Sequence, residues 1–374
     1  MNVLHIGKYF SPFKGGIENM MLALMRAQQQ SGLNVSAAVH QHEASTGYAE
    51  QEVAQCRIYR IPIQMVLLFV PVALTAYFYL RRIIRHEAPD ILHCHMPNVT
   101  CFWLLFMPAA RKLPWVVHWH SDVMGERPHG GIKLLYPVYR LFERALLKRA
   151  QSIVVTSQNY LASSEPLQAF RNKCTVVPLG LDDKALAARM SHKNNLQLLC
   201  VGRLTYYKGH RYLIEAIQKC DNHVMLTIVG SGEENARLEN QVQQHALDAQ
   251  VRFLSGLSDE ALEQELIDCD ALVLPSIERT EAFGLVLLEA MRAGKACICT
   301  DVPGSGMSEV VVHNHTGLVV KRSDASSLTL AINQLQNNRD LCQRLGSEGR
   351  ARFVERFEIT QVEQQMREVY KAIL

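Results

Sequence analysis

Short apolar runs alternate with stretches of helical periodicity from one end of the chain to the other. In the first half the strand-like runs are Asn2–Gly7, Val35–His40, Asp90–His95, Trp115–His120, Ser152–Ser157 and Thr175–Leu179. Between the first two, Ile17, Met20, Met21 and Leu24 fall at i, i+3, i+4 and i+7, one face of a helix that Gly32 ends. After the polar stretch Ser191–Asn195 the alternation restarts, with strands expected at Leu196–Val201, Met225–Val229, Val251–Leu254, Ala271–Leu274 and Ala296–Thr300. Helical patterns at Tyr212–Cys220, Glu234–Leu247 and Glu260–Cys269 separate them. Continuous Val/Ile/Leu runs divided by helices predict parallel strands covered on both faces. The fold class is therefore α/β, with two doubly wound, Rossmann-like domains at 1–183 and 191–353, joined near Pro178–Asp183. Such sheets bind ligands beyond the carboxyl ends of their strands, so two of them facing each other enclose a cleft.

A length of 374 residues suits two domains, and 48% hydrophobic against 20% charged residues excludes a disordered chain. The net charge of +3 is unevenly divided: residues 1–185 carry 19 Lys/Arg against 12 Asp/Glu, and the remainder 20 against 24. A basic first half suits an anionic surface or a phosphorylated ligand. It does not suit nucleic acid, because the charge is spread out with no interleaved aromatics. Ten cysteines without a CxxC pair, the closest being Cys297 and Cys299, read as reduced thiols of a cytosolic protein. The start MNVLHIGKYFSP has no basic stretch before an apolar one and does not read as a cleaved signal peptide.

Between Met65 and Leu80 lie sixteen almost wholly apolar residues, followed by Arg81, Arg82, Arg85 and His86. The run is short for a membrane span and Pro71 interrupts it. A buried core helix and an interfacial patch whose arginines meet lipid phosphates both fit.

Four segments carry candidate chemistry. In Ser11-Pro12-Phe13-Lys14-Gly15-Gly16-Ile17-Glu18, glycines let the backbone approach a ligand, and the following helix N-terminus favours a phosphate. It is neither a P-loop nor GxGxxG. In Val117-His118-Trp119-His120-Ser121-Asp122, alternation puts His118 and His120 on one face, with His120 nearest the carboxyl end and Asp122 placed to orient or charge-balance it. No third ligand or HExxH pattern accompanies them, so no metal is expected. In Val201-Gly202-Arg203-Leu204-Thr205-Tyr206-Tyr207-Lys208-Gly209, Arg203 offers a directed fork and Lys208 a point charge to a diphosphate. The fourth segment runs from Pro275 to Met291, with Glu281 expected at a helix start and Glu289 inside the helix. Eight helical residues rise about 12 Å, too far for a glycosidase carboxylate pair but suited to a long ligand with hydroxyls at both ends.

Glu281 and Glu289, with Phe283 and Gly284 between them, resemble the EX7E signature of the retaining glycosyltransferases of family four, whose fold is GT-B. The GGIE loop, the His-Ser-Asp after a strand, the GR…KG loop and Thr300-Asp301-Val302-Pro303-Gly304-Ser305-Gly306 match that family in order and spacing, over the whole chain. The resemblance implies that Gly16 gives donor phosphates and acceptor close backbone access, that His120 lies beside the reacting sugar, and that Arg203 and Lys208 bind the diphosphate. Glu281 would hold the sugar hydroxyls, the backbone at Phe283 and Gly284 the sugar and phosphates, and Glu289 the ribose. The first domain would take the acceptor and the second the nucleotide sugar, with no metal or other cofactor, and a final helix over 354–374 would pack back on the first domain. The chain has Gly304-Ser305-Gly306-Met307-Ser308-Glu309 where many members have Gly-Gly and a proline before the glutamate, a form similar to that in transferases building bacterial surface polysaccharides, some from GDP-mannose.

The expected reaction is hexosyl transfer, mannose from GDP-mannose first, to a glycan acceptor linked to polyprenyl diphosphate in O-antigen, capsule or exopolysaccharide (lipopolysaccharide-type) synthesis. The expected location is cytoplasmic, peripheral on the inner face of the plasma membrane, with the first domain against the lipid. A UDP-sugar-dependent transferase, a nucleotide-sugar epimerase of the same architecture and a sugar-nucleotide sensor that has lost transfer are the rivals.

Overall fold

The computed structural model describes residues 1–13, 15–42, 47–67, 70–123, 130–184 and 195–374. Lys14, residues 68–69 of the apolar run and residues 191–194 of the polar stretch lie outside them. The chain divides into two compact units, Met1–Asp182 with Ile359–Leu374, and Asp183–Glu358.

The first unit is built on a sheet ordered β10-β9-β8-β7-β1-β2-β4-β3. Its strands are β1 (Asn2–Ile6), β2 (Asn34–His40), β3 (Ala49–Val53), β4 (Cys56–Ile61), β7 (Ile91–Met96), β8 (Trp115–Trp119), β9 (Ser152–Val155) and β10 (Cys174–Val176), while β5 (Met65–Leu67) and β6 (Val70–Val72) form a separate hairpin. The helices are α1 (Gly16–Gln30), α2 (Ala76–Glu87), α3 (Gly130–Arg149) and α4 (Gln158–Ser163). All pairings in the large sheet are parallel except β3 with β4. That edge strand, AEQEV, exposes Glu50, Gln51 and Glu52, and its polarity, which hid it from apolar patterning, keeps the edge from pairing further. α1 buries Met20, Met21 and Leu24 as its periodicity requires, each side chain gaining roughly 1.5–3 kcal/mol on leaving water.

The apolar run is not one helix. Met65–Leu67 and Val70–Val72 pair antiparallel as β5 and β6, with Pro71 opposite Val66, and α2 begins only after Thr75. α2 buries Ala76, Leu80, Ile83 and Ile84 and turns Phe78, Arg81, Arg82 and Arg85 outward. Met65, Val66 and Leu74 are more than half exposed, and Phe106, Leu134, Val138 and Leu141 of the same unit are also exposed apolar residues. No helix among the described residues is long and apolar enough to cross a membrane.

The second unit carries a wholly parallel sheet ordered β13-β12-β11-β14-β15-β16. The strands are β11 (Leu196–Val201), β12 (Val224–Val229), β13 (Val251–Leu254), β14 (Ala271–Leu274), β15 (Ala296–Thr300) and β16 (Leu318–Val320). The helices are α5 (His210–Ile217), α6 (Asn235–Gln244), α7 (Asp259–Asp268), α8 (Leu285–Arg292), α9 (Met307–Val310), α10 (Ala325–Asn337) and α11 (Arg339–Arg356). Leu198, Ile228, Val273 and Ile298, at or below 1% exposure, tie the strands into one core with α5 and α10.

The helical tail breaks later than its sequence suggests. Val354 belongs to α11 of the second unit, and only α12 (Ile359–Lys371) joins the first. The Ile359 amide donates to the Leu181 carbonyl at 2.9 Å, and α12 packs its buried Val362, Met366, Val369 and Tyr370 against the sheet and α1.

Candidate functional site

In the second unit the chain runs outward from β11 in both directions, so the order reverses between β11 and its neighbour β14. A crevice beyond the carboxyl ends of these two strands is where a doubly wound sheet binds ligands. The GR…KG loop leaves β11 and the segment from Pro275 leaves β14, which brings the two candidate motifs together. The Ile277 amide donates to the Tyr207 carbonyl at 2.8 Å. Gly209, at φ +70°, is pressed so close that a Cβ would stand 2.1 Å from the Pro275 carbonyl oxygen, a position no other residue fills.

At the centre, Lys208 Nζ meets Glu281 Oε2 at 2.5 Å, with the two side chains only 14% and 13% exposed. Burial disfavours the ammonium, but the Glu281 carboxylate and the Tyr207 hydroxyl outweigh it and hold Lys208 above the ordinary lysine range. Ser276 Oγ adds a hydrogen bond to the same carboxylate oxygen at 3.3 Å. Lys208 has further N–H donors that a diphosphate can take. Arg203 stands exposed at the start of the same loop.

Glu281 is not at a helix start. α8 opens four residues later, at Leu285, because Gly284 sits at φ +82° as its N-cap and Glu281 lies in the preceding loop. The 12 Å helical rise from Glu281 to Glu289 therefore does not apply. No side chain caps α8, so its first amides face the loop, the polarity that favours an anion. Phe283 is buried, edge-on to Phe357 at 6.2 Å. Glu289 lies in the second turn of α8; burial raises its carboxyl above the usual range, with Arg292 opposing.

The segment after β15 clamps this loop. Ser305 Oγ donates to the Glu281 carbonyl at 2.5 Å and the Gly306 amide to the Ala282 carbonyl at 2.8 Å. The serine that departs from the commoner family pattern thus fixes the backbone of Glu281.

In the first unit, Gly15 is the N-cap of α1 and Gly16 its exposed first residue. The Glu18 carboxylate folds back over Gly15 and takes its own amide, so an acid already faces this helix end; burial raises its carboxyl. His120 follows β8 and is buried, stacked 4.2 Å from His118 as the alternation predicts. Asp122 does not orient it: its Oδ1 accepts from Trp119 Nε1 at 2.8 Å and Ser164 Oγ at 2.7 Å, while His120 Nε2 pairs with His95 Nδ1 at 3.0 Å.

That partner belongs to a cluster missed in the sequence. His5 on β1, His93 and His95 on β7, and His118 and His120 form one buried group. The second His-x-His, in ILHCHM, was a readable signal; its meeting with His118 depends on the β7–β8 register, which pairs His95 with His118. Ligand atoms of His5, His93 and His95, and of His95, His118 and His120, lie within 4.8 Å of one another, close enough for a metal ion. Within these groups ring nitrogens pair with one another, His5 Nδ1 with His95 Nε2 and His95 Nδ1 with His120 Nε2, each at 3.0 Å. Glu143 on α3 is a second buried group that went unread: burial, reinforced by Asp122, pushes its carboxyl up to about 8.

Residues 183–352 match the protein-family model described as glycosyl transferases group 1, and residues 15–180 the one described as glycosyl transferase 4-like domain. The chain is 29% identical over 365 residues to the O-antigen chain mannosyltransferase C of Escherichia coli, covering 96% of this chain and 94% of that protein. It is 30% identical over 369 residues to the D-rhamnosyltransferase WbpZ of Pseudomonas aeruginosa, covering 96% and 92%. Among solved structures it resembles a sucrose-phosphate synthase from Thermosynechococcus elongatus, with a TM-score of 0.80 at 21% identity over 99% of this chain and 98% of that one.

Proposed function

We propose a reaction for a chain that belongs to the group 1 glycosyl transferases of family four, GT-B in fold: it moves a hexosyl unit, mannose from GDP-mannose, to a polyprenyl-diphosphate-linked glycan with retention at the anomeric carbon. The observation that carries the reading is the Lys208–Glu281 pair at the switch point of the second unit, beside the uncapped N-terminus of α8. Lys208, Arg203 and the first α8 amides neutralise the diphosphate as it leaves, the role a metal would otherwise fill. Glu281 accepts hydrogen bonds from hydroxyls of the transferred sugar, and Glu289 from the ribose. Gly284, with no side chain, lets the sugar and phosphates reach the backbone. The acceptor hydroxyl attacks the face the nucleotide leaves, and its proton departs with the diphosphate. The donor choice is supported by the O-antigen mannosyltransferase likeness.

The first unit binds the acceptor, with Gly16 giving it backbone access and His120 beside the sugar. Phe78, Leu74, Met65 and Val66, flanked by Arg81, Arg82 and Arg85, support its docking on the anionic inner face of the plasma membrane, where a lipid-linked acceptor resides. Thermal unfolding with each of GDP-mannose, UDP-glucose, UDP-galactose and UDP-N-acetylglucosamine, in chelator, tests the donor. A ligand at about 100 times its Kd adds about 2.7 kcal/mol of stability. GDP-mannose is expected to raise the midpoint; a rise with a UDP-sugar alone would replace the donor, and no rise with any would remove the reading.

A further inference from the structure

Five imidazoles occupy one face of three neighbouring parallel strands, and each is at most 4% exposed. Burial, first among the causes, holds all five below the ordinary imidazole value: His5 at about 4, His120 at about 3, and His93, His95 and His118 well below it. Each ring is therefore neutral at pH 7, with one N–H and one lone pair. In a file of neutral imidazoles the direction of one hydrogen bond fixes the direction of the next.

Among the described residues, Gln28 orients the file. Gln28 on α1 accepts from His5 Nε2 through Oε1 at 2.8 Å and donates from Nε2 to the Tyr370 hydroxyl at 2.9 Å. With its Nε2 protonated, His5 presents Nδ1 as an acceptor to His95 Nε2 at 3.0 Å. His95 Nδ1 in turn accepts from His120 Nε2 at 3.0 Å. His120 Nδ1 is then proton-free, and it is buried with no partner among the described residues. On the other branch Tyr370 donates to His93 Nδ1 at 2.5 Å, and His93 Nε2 reaches His118 Nδ1 at 3.3 Å. Every histidine of the file thus carries its proton on Nε2.

We propose that this file is a direction-setting relay in which Gln28 and Tyr370 are positioning residues that hold His120 as its Nε2–H tautomer, so that His120 Nδ1 is presented as the acceptor for a hydroxyl of the sugar substrate. The proposal rests on the reading that places His120 at the sugar. A buried acceptor without a donor is costly, and a substrate hydroxyl relieves that cost only if the tautomer is right. The opposite tautomer would set an N–H against the incoming hydroxyl and oblige it to turn its own proton away. Tyr370 lies on α12, so the C-terminal helix, which reaches this unit only after the whole second unit has been traversed, completes the anchor of the file.

The tautomers are read directly by two-bond proton–nitrogen correlation on the 15N-histidine-labelled full chain at pH 7, each signal identified by single His→Gln variants. All five neutral Nε2–H patterns are expected, and wild type alone suffices, so the test survives a variant that fails to fold. Gln28→Leu, which removes the acceptor, is expected to give a mixed pattern at His120 and about a tenfold loss in kcat with donor KM within twofold, the effect of one hydrogen bond weakened in the transition state. Gln28→Glu, which retains an acceptor for His5 Nε2–H, is expected to restore the pattern at His5, His95 and His120 and most of the turnover. An Nδ1–H or cationic His120 in wild type overturns the relay. A mixed pattern at His120 in Gln28→Leu with unaltered turnover overturns instead the placement of His120 at the sugar, and an unmixed pattern in that variant overturns Gln28 as the positioning residue, so the failures are distinguished.

Discussion

Replacing Lys208 by Met keeps the apolar length of the side chain and strands the Glu281 carboxylate that it meets at 2.5 Å. With both side chains near 14% exposure, water repays little of the lost pairing. Breaking a buried pair from one side costs 3–5 kcal/mol, and this site, which keeps the Ser276 hydrogen bond to the same oxygen, falls at the lower end, about 3 kcal/mol. In a unit of this size 1 kcal/mol moves Tm by about 2–4 °C, so a fall of about 6–12 °C is expected. Transfer is expected to fall further than stability explains, by about 10²–10³ in kcat, because in the proposed reaction Lys208 is one electrostatic donor to the leaving diphosphate. The double variant Lys208→Met/Glu281→Leu separates the effects: removing the stranded charge restores most of the Tm but none of the activity. Scanning calorimetry and a radiolabelled-donor transfer assay on the wild type, both singles and the double give the cycle. Turnover within threefold of wild type in Lys208→Met, or activity returning with Tm in the double, would remove the pair from the transfer step. Because the folded-state pKa of Lys208 is raised, the stability it contributes is fully present at neutral pH and is lost only as pH rises beyond the ordinary lysine range.

Gly209→Ala is expected to lower Tm of the second unit sharply, since φ +70° alone costs about 1–2 kcal/mol and the added methyl meets a carbonyl oxygen at 2.1 Å; thermal melts beside Gly256→Ala, whose Cβ would meet nothing within 4 Å, isolate the clash from the shared strain. Glu143, held up to about 8, contributes most below its unfolded pKa, near 4.5, and that contribution is lost as pH rises from there to about 8. Glu143→Gln is therefore expected to flatten Tm against pH over that window and to exceed wild type at pH 8; parallel profiles would contradict the assignment. Arg81→Gln/Arg82→Gln/Arg85→Gln is expected to weaken co-sedimentation with anionic vesicles by roughly 100-fold at low salt, at about 1 kcal/mol per arginine, and unchanged binding would remove this face from the lipid.

Much of the fold was legible because buried parallel strands announce themselves: β11, β13, β14 and β15 coincide with apolar runs such as LQLLCV and ALVL. β3 was not, since an edge strand has no need of apolar residues, nor was the short β16. The apolar run after Met65 mixes two periods, a hairpin and then a helix, so neither period dominates its windows. The start of α8 was misplaced because Glu281 to Glu289 reads as one continuous segment, whereas the left-handed Gly284 delays the helix. Lys208 and Glu281 were both visible as chemistry, but their contact follows from the adjacency of β11 and β14, which no local pattern encodes. The histidine file is the extreme case, spread over β1, β7 and β8 and anchored by Gln28 and Tyr370, 342 residues apart in sequence. Only strand register brings those side chains into one line.

The proposed retaining transfer through the Lys208–Glu281 site without a metal has one direct test. Its most direct measurement incubates the purified chain in excess chelator with 13C-mannose-labelled GDP-mannose and a synthetic polyprenyl-diphosphate-linked glycan, and follows the anomeric carbon by NMR. An α-linked mannosyl product whose formation chelator does not slow is expected. A β-linked product, a reaction that chelator abolishes, or isomerisation of the nucleotide sugar without acceptor would contradict it.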